Sequence, residues 1–135
     1  MVATIPDMIE KTCKTMVCVT AQRNCERLIR AGSRMAEGIP DGLSVIHVAA
    51  LDTPFLDGTD GNEDAQSLGS LYRIVREYDA DMTVVRDTKP IDVLVAHARK
   101  IDARCVIIGT SGTAAEPFAN ELGKRLPGVE IRIIP

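Results

Sequence analysis

The apolar residues of this chain follow two alternating rhythms, and that alternation constrains its fold more than any other feature. Short runs rich in β-branched residues, such as Cys105-Val-Ile-Ile108, are separated by stretches whose apolar residues recur every three or four positions. A short continuous apolar run fits a buried strand, whereas the three-to-four spacing fits a helix with one face on a core. The runs predict strands over Thr15–Thr20, Leu43–Ala49, Met82–Arg86, Arg104–Ile108 and Val129–Ile134. The intervening stretches predict four helices.

The first helix runs to about Glu37 with Cys25, Leu28, Ile29, Met35 and Ala36 on its stripe, and Gly38 closes it. The second spans Glu63 to Tyr78, with Asn62 as its N-cap and Leu68, Leu71, Tyr72, Val75 and Tyr78 buried. Pro90, suited to a first helical position, opens the third, whose stripe is Ile91, Leu94, Val95, Ala98 and Ile101. The fourth covers Pro117 to Leu126.

Strict β-α alternation implies parallel strands joined by right-handed crossovers. The fold class is therefore α/β: a three-layer doubly wound sandwich on a five-stranded parallel sheet of order 3-2-1-4-5. Residues 1–14 read as an N-terminal arm and 15–135 as one domain, a size that supports a real core. In this strand order the loops after strands one and four meet at one crevice, where a small-molecule site belongs.

The residues expected there are Thr20, Ala21, Gln22 and Arg23 after strand one, and Gly109, Thr110, Ser111, Gly112 and Thr113 after strand four. Strand, glycine turn, helix is a layout in which backbone N–H groups can face a phosphate or a ribose, with the hydroxyls as further partners. It is also the layout of an ordinary parallel crossover. The loop holds no Lys or Arg, and Glu116 beside the helix start competes for the positive helix end that a polyphosphate would use. Thr113-Ala-Ala-Glu116 fits a capping box.

No catalytic or metal-binding set is visible. Cys13, Cys18, Cys25 and Cys105 lack CxxC spacing and a nearby histidine pair, so neither zinc nor a disulfide frame is expected. Cys18 and Cys105 fall within strands and read as packed, Cys13 as accessible. Asp60-Gly-Asn-Glu-Asp64 begins like a calcium loop, but Ala65 and Leu71 stand where glycine and glutamate are needed. His47 reads as a hydrogen-bonded core residue and His97 as a surface one.

A net charge of −3 with dispersed basic residues gives no reason to expect a nucleic-acid partner. Arg23, Arg27, Arg30 and Arg34 gather on the first helix as a solvated face. Two Phe, two Tyr and no Trp count against a stacked-aromatic site too. No apolar run reaches bilayer length and no signal-peptide build opens the chain, so a cytoplasmic protein without membrane insertion is expected.

The order of elements, together with Pro90-Ile-Asp-Val-Leu-Val-Ala-His-Ala-Arg-Lys-Ile-Asp-Ala-Arg-Cys-Val-Ile-Ile-Gly109, resembles the universal stress protein family. The run from Val17 to Gly32 is most similar to the variant embedded in potassium-sensing bacterial histidine kinases. The resemblance covers residues 15–135. It implies a non-catalytic regulatory or stress-response module, a homodimer joined through strand five, a signalling protein partner, and ATP or AMP as the ligand of the crevice.

ATP-binding members carry glycine, two residues, glycine, nine residues, then glycine with serine or threonine. Gly109 and Gly112 match the first pair, but Leu122-Gly123 stands in place of the last. Such members also hold the nucleoside with an aspartate after strand one, where this chain has Thr20, Ala21 and Gln22. No cofactor is therefore assigned with certainty. The alternative from another class is a phosphoryl-accepting receiver domain, with Asp87 and Thr110 near its active positions. That chemistry also needs an acidic pair after strand one and a lysine after strand five; Thr20-Ala-Gln-Arg23 and Pro135 supply neither.

Overall fold

The computed structural model describes residues 12–19, 25–49, 69–87, 89–109 and 115–134. Along the chain these form β1 (Thr15–Val19), α1 (Cys25–Met35), β2 (Leu43–Ala49), α2 (helical over 69–77), β3 (Asp81–Arg86), α3 (Pro90–Lys100), β4 (Cys105–Gly109), α4 (Ala115–Arg125) and β5 (Glu130–Ile134). All four strand pairings are parallel, and the sheet runs β3-β2-β1-β4-β5, the order expected from the sequence. None of the described helices is long and apolar enough to cross a membrane.

The central strands bury both faces, which is why they read as unbroken apolar runs. Val17, Val19, Val45, Cys105 and Ile107 meet Leu28 and Ile29 of α1 and Leu71 and Val75 of α2. The alternate residues Met16, Ile46, Val106 and Ile108 meet Leu94, Val95 and Ala98 of α3, Leu122 of α4 and Leu126 just beyond it. Two apolar layers thus enclose one sheet. Each fully buried aliphatic side chain contributes about 1.5–3 kcal/mol relative to exposure.

Helices α2 and α3 stop by the same device. Ala80 N–H donates to Val75 O at 3.1 Å and Asp79 N–H to Arg76 O at 3.1 Å; Ala103 N–H donates to Ala98 O at 2.9 Å and Asp102 N–H to Arg99 O at 3.2 Å. Each pair is a Schellman closure, with Asp79 (φ 54°) and Asp102 (φ 57°) in the left-handed position that glycine more often fills. The chain then drops directly into the next strand.

Several boundaries and burial assignments differ from the sequence reading. The fourth strand runs one residue further, so Gly109 is its last residue and not part of the turn. The fourth helix starts two residues earlier, at Ala115. Tyr72 is 52% exposed rather than buried, because it sits about 90° of helical rotation from the Leu71–Val75–Tyr78 stripe; Ile74 packs against the core instead. Cys18 is only partly buried. His97 is not a surface residue: it is half-buried, with Nε2 3.4 Å from the fully buried Ser44 hydroxyl. The expected N-cap Asn62, the start of the second helix and the calcium-like loop lie outside the described residues.

Candidate functional site

The crevice is placed by topology. Strands β2 and β4 flank β1 on either side, so the chain leaves the sheet in opposite directions across the carboxyl end of β1. Register fixes what stands there. His47 pairs with Val19 and with Val84, and Gly109 pairs with Ile134. Continuing the β1–β4 register two residues beyond Val17↔Ile107 brings Gly109 level with Val19. Val84, His47, Val19, Gly109 and Ile134 therefore form one row across the carboxyl side of the sheet.

Among the sequence-predicted site residues, Gly109 is the one within the described structure; Thr20, Ala21, Gln22, Arg23, Thr110, Ser111, Gly112 and Thr113 lie outside the described residues. Gly109 does not have a left-handed φ, so the turn does not demand glycine there. A Cβ on it would meet Leu28 Cδ1 at 3.2 Å. The glycine at the rim of the crevice thus lets α1 close down on β4.

The position where ATP-binding family members carry their last glycine falls inside α4. Leu122 is 0% exposed and packs with Leu94, Val95 and Leu126, while Gly123 continues the helix. Five residues, 110–114, separate Gly109 from Ala115 in the sequence. A phosphate-binding pair cannot be restored there without unwinding α4 and pulling Leu122 from the core.

The sequence places His47 as a hydrogen-bonded core histidine, and the structure gives it a partner at the end of β1. Its Nδ1 lies 3.0 Å from the carbonyl oxygen of Val19, the last residue of β1. The ring is half-buried. Its distance from the strand-two midpoint, at the fifth residue of a seven-residue run, was the available signal that it reaches the carboxyl rim.

Asp87 stands at the end of β3, an edge strand two places from β1. Its Oδ1 accepts the Lys89 N–H at 2.9 Å, directly before α3 begins. A receiver-type phosphoacceptor sits instead on a strand adjacent to β1, the 2-1-3-4-5 order. The Asp87 carboxylate is held within the turn that precedes α3.

The opposite, amino-terminal pole has two cavities bounded by described residues. One of about 390 Å³ lies between the α1–β2 turn and the end of α2, lined by Arg34, Glu37, Asp41, Tyr78 and Asp79 among others. The other, about 250 Å³, is rimmed by Arg99, Arg104 and Arg125. Two of these guanidinium groups are committed: Arg125 pairs with Asp92 at 2.6 Å and Arg99 donates to the Arg125 carbonyl at 3.0 Å. Basic groups there answer the negative ends of α3 and α4. Among the described residues no group of three or more His, Cys, Asp or Glu is placed to hold a metal ion.

No family model matches this sequence, and no curated protein does. Solved structures do match its fold. A universal stress protein from Archaeoglobus fulgidus superposes with a TM-score of 0.64 at 21% identity, covering 97% of this chain and 99% of that one. The universal stress protein from Archaeoglobus fulgidus in complex with dAMP gives 0.61 at 22% identity, over 93% of this chain and 99% of the other. A universal stress protein in complex with cAMP gives 0.55 at 16% identity, over 90% and 97%. At these identities the likeness establishes a shared fold across nearly the full length of both chains.

Proposed function

We propose that this chain is a non-catalytic regulatory module of the universal-stress type that senses an adenine mononucleotide at the crevice after β1 and β4. The observation that carries the reading is the end-to-end match in fold with universal stress proteins, two of them solved with an adenine nucleotide bound. The ligand would be held by the backbone and hydroxyls of Thr20 to Arg23 and Gly109 to Thr113. Leu122, buried in α4, supports a site that grips the nucleoside and first phosphate without engaging a polyphosphate. The module would work as a homodimer joined through β5, alongside a signalling protein partner, in the cytoplasm. Unbridged thiols at Cys13, Cys18 and Cys105 fit such a reducing compartment.

Thermal-shift titration with AMP, cAMP and ATP tests this. A ligand at a hundred times its Kd adds about 2.7 kcal/mol of stability, which is readily seen. AMP should stabilise the fold, ATP should do no better, and no phosphate should be released on long incubation. Stoichiometric ATP carried through purification, or hydrolysis above background, would overturn the reading.

A further inference from the structure

We propose that this chain associates with a second copy of itself through the amino-terminal end of the sheet, the acidic half of that end on each protomer seating on the basic half of the other. The contact is separate from the crevice and from the β5 edge, so it stands apart from the nucleotide reading.

All four helices finish at this end, because each runs back from the carboxyl side of a parallel sheet. A helix C-terminus is electronegative, its last carbonyls lacking partners within the helix. The two layers answer that charge in opposite ways. On one, the last turns of α3 and α4 carry Arg99, Lys100, Lys124 and Arg125, and Arg104 directly precedes β4. The cavity of about 250 Å³ between these ends is lined by Arg99, Arg104 and Arg125 against Asp102. On the other layer the ratio is reversed. The cavity of about 390 Å³ at the ends of α1 and α2 is lined by Glu37, Asp41 and Asp79 against Arg34. These three acidic residues are exposed. Carboxylates here add to the negative helix ends instead of offsetting them, which costs stability in the isolated chain. Cations brought from outside remove that cost.

The geometry identifies a second copy as their source. The two cavities share one end of the molecule but belong to opposite layers of the sandwich. A two-fold axis lying across that end, midway between them, exchanges one with the other. A single rotation therefore sets the acidic half of each protomer on the basic half of its partner, and both contacts form together. With a net charge of −3 on each chain, two copies meeting at random repel; the basic half is the surface on which a partner's acidic half is attracted. Such complementarity fixes the register and excludes the arrangement that sets like halves together.

Sedimentation equilibrium on the full chain tests this by exchanging charge. Lys100→Glu, Arg104→Glu and Lys124→Glu together make both halves acidic. Glu37→Lys with Asp41→Asn and Asp79→Asn makes both basic, and asparagine tolerates the φ of 53° and 54° at the last two positions. All of these residues are exposed, so circular dichroism should show both proteins folded. Each variant alone should self-associate at least about tenfold more weakly than wild type, and an equimolar mixture should regain wild-type affinity, since every acidic half then meets a basic one. Wild-type association through this end should weaken as salt rises from about 0.02 to about 0.5 M. The β5 edge is unaltered throughout, so a β5 pair contributes equally to every sample. A mixture no tighter than its components, or wild-type association indifferent to salt, overturns the inference. If the charge exchange changes nothing and spermidine alone stabilises the wild-type fold, the acidic half takes a small polycation and the inference also falls.

Discussion

Gly32 of α1 rests directly on Val17 of β1. A Cβ at this glycine would overlap Val17 Cγ2 and would stand 2.9 Å from Leu43 Cδ1, both side chains of fully or nearly fully buried residues. This contact sets how closely the first helix lies over the centre of the sheet. Leu28, one turn earlier, then reaches Gly109 at the crevice rim. Two glycines, one on a helix and one on a strand, seat the same interface.

Gly32→Ala should therefore destabilise the protein by about 1–3 kcal/mol, as overpacking outweighs the better helix propensity of alanine. Gly123→Ala is the control. Gly123 also lies within a helix, but its nearest neighbour to an added Cβ is Ile131 Cγ1 at 3.9 Å, an ordinary contact. That variant should gain up to about 1 kcal/mol. Urea denaturation of both proteins checks the pair; a stabilising Gly32→Ala would refute the close packing of α1 on β1.

Strand order and the two-sided core were legible because apolar runs and helical stripes are local signals that tertiary packing reinforces. Leu94, Val95 and Ala98 lie on the buried face of α3 just as their spacing predicted. Gly32 was not legible, since a glycine in a helical pattern looks the same whether it faces solvent or a valine. Nor was the half-buried His97, whose partner Ser44 is 53 residues away in sequence. At the site, the strand ends could be located, but the orientation of His47 depends on a carbonyl of another strand. Leu122 was visible as a departure from the family loop. Only the fold explains it, as a core residue of α4.

The thiols should react in an order set by burial. Cys105 is 0% exposed, and burial pushes its thiol up to about 12, so almost none is thiolate near neutral pH. Cys18 retains some exposed surface, yet desolvation pushes its thiol up to about 12 as well. Cys25 is buried. Cys13 is partly exposed beside β1 and should be modified first by a maleimide under native conditions, as peptide mapping after a short pulse would reveal. Labelling of Cys105 at the same rate would contradict its burial on β4.

His97 should make stability fall on mild acidification. Burial lowers its pKa below the ordinary 6.5, against the opposing pull of Asp81 and with help from Lys100. Between the folded pKa and 6.5 the unfolded chain binds more protons than the folded one, so stability rises with pH in that window. The contribution is fully present above 6.5 and is lost as pH falls through the folded value. Urea denaturation at pH 7.5 and 5.5 should show a larger loss for wild type than for His97→Gln. Equal losses would mean that the burial of His97 does not bias its protonation.

The proposed dimer makes the sharpest demand on the fold. Strand β5 is an edge of the sheet, so one side of its backbone is bonded to β4 and the other is open to a second chain. Ile131 and Ile133 pack against the α3–α4 layer and Ile134 against the α1–α2 layer, which holds the strand firmly enough to serve as a template. Glu130 and Arg132, paired with each other, are both exposed, so polar side chains border the seam. Two copies related by a two-fold axis would pair their β5 strands antiparallel and satisfy both open edges at once. Proline lacks the N–H that such pairing uses, and an edge strand tolerates it better than a central one. Glu130 N–H donates to Arg104 O at 3.0 Å, and backbone N–H groups alternate along a strand, so the Arg132 N–H turns toward β4 while those of Ile131 and Ile133 turn outward. Ile131→Pro should give a folded monomer by light scattering and circular dichroism, and Arg132→Pro, which removes a β4 contact, a less stable protein. Wild-type protein that is already monomeric at high concentration would end the proposal of a β5 dimer.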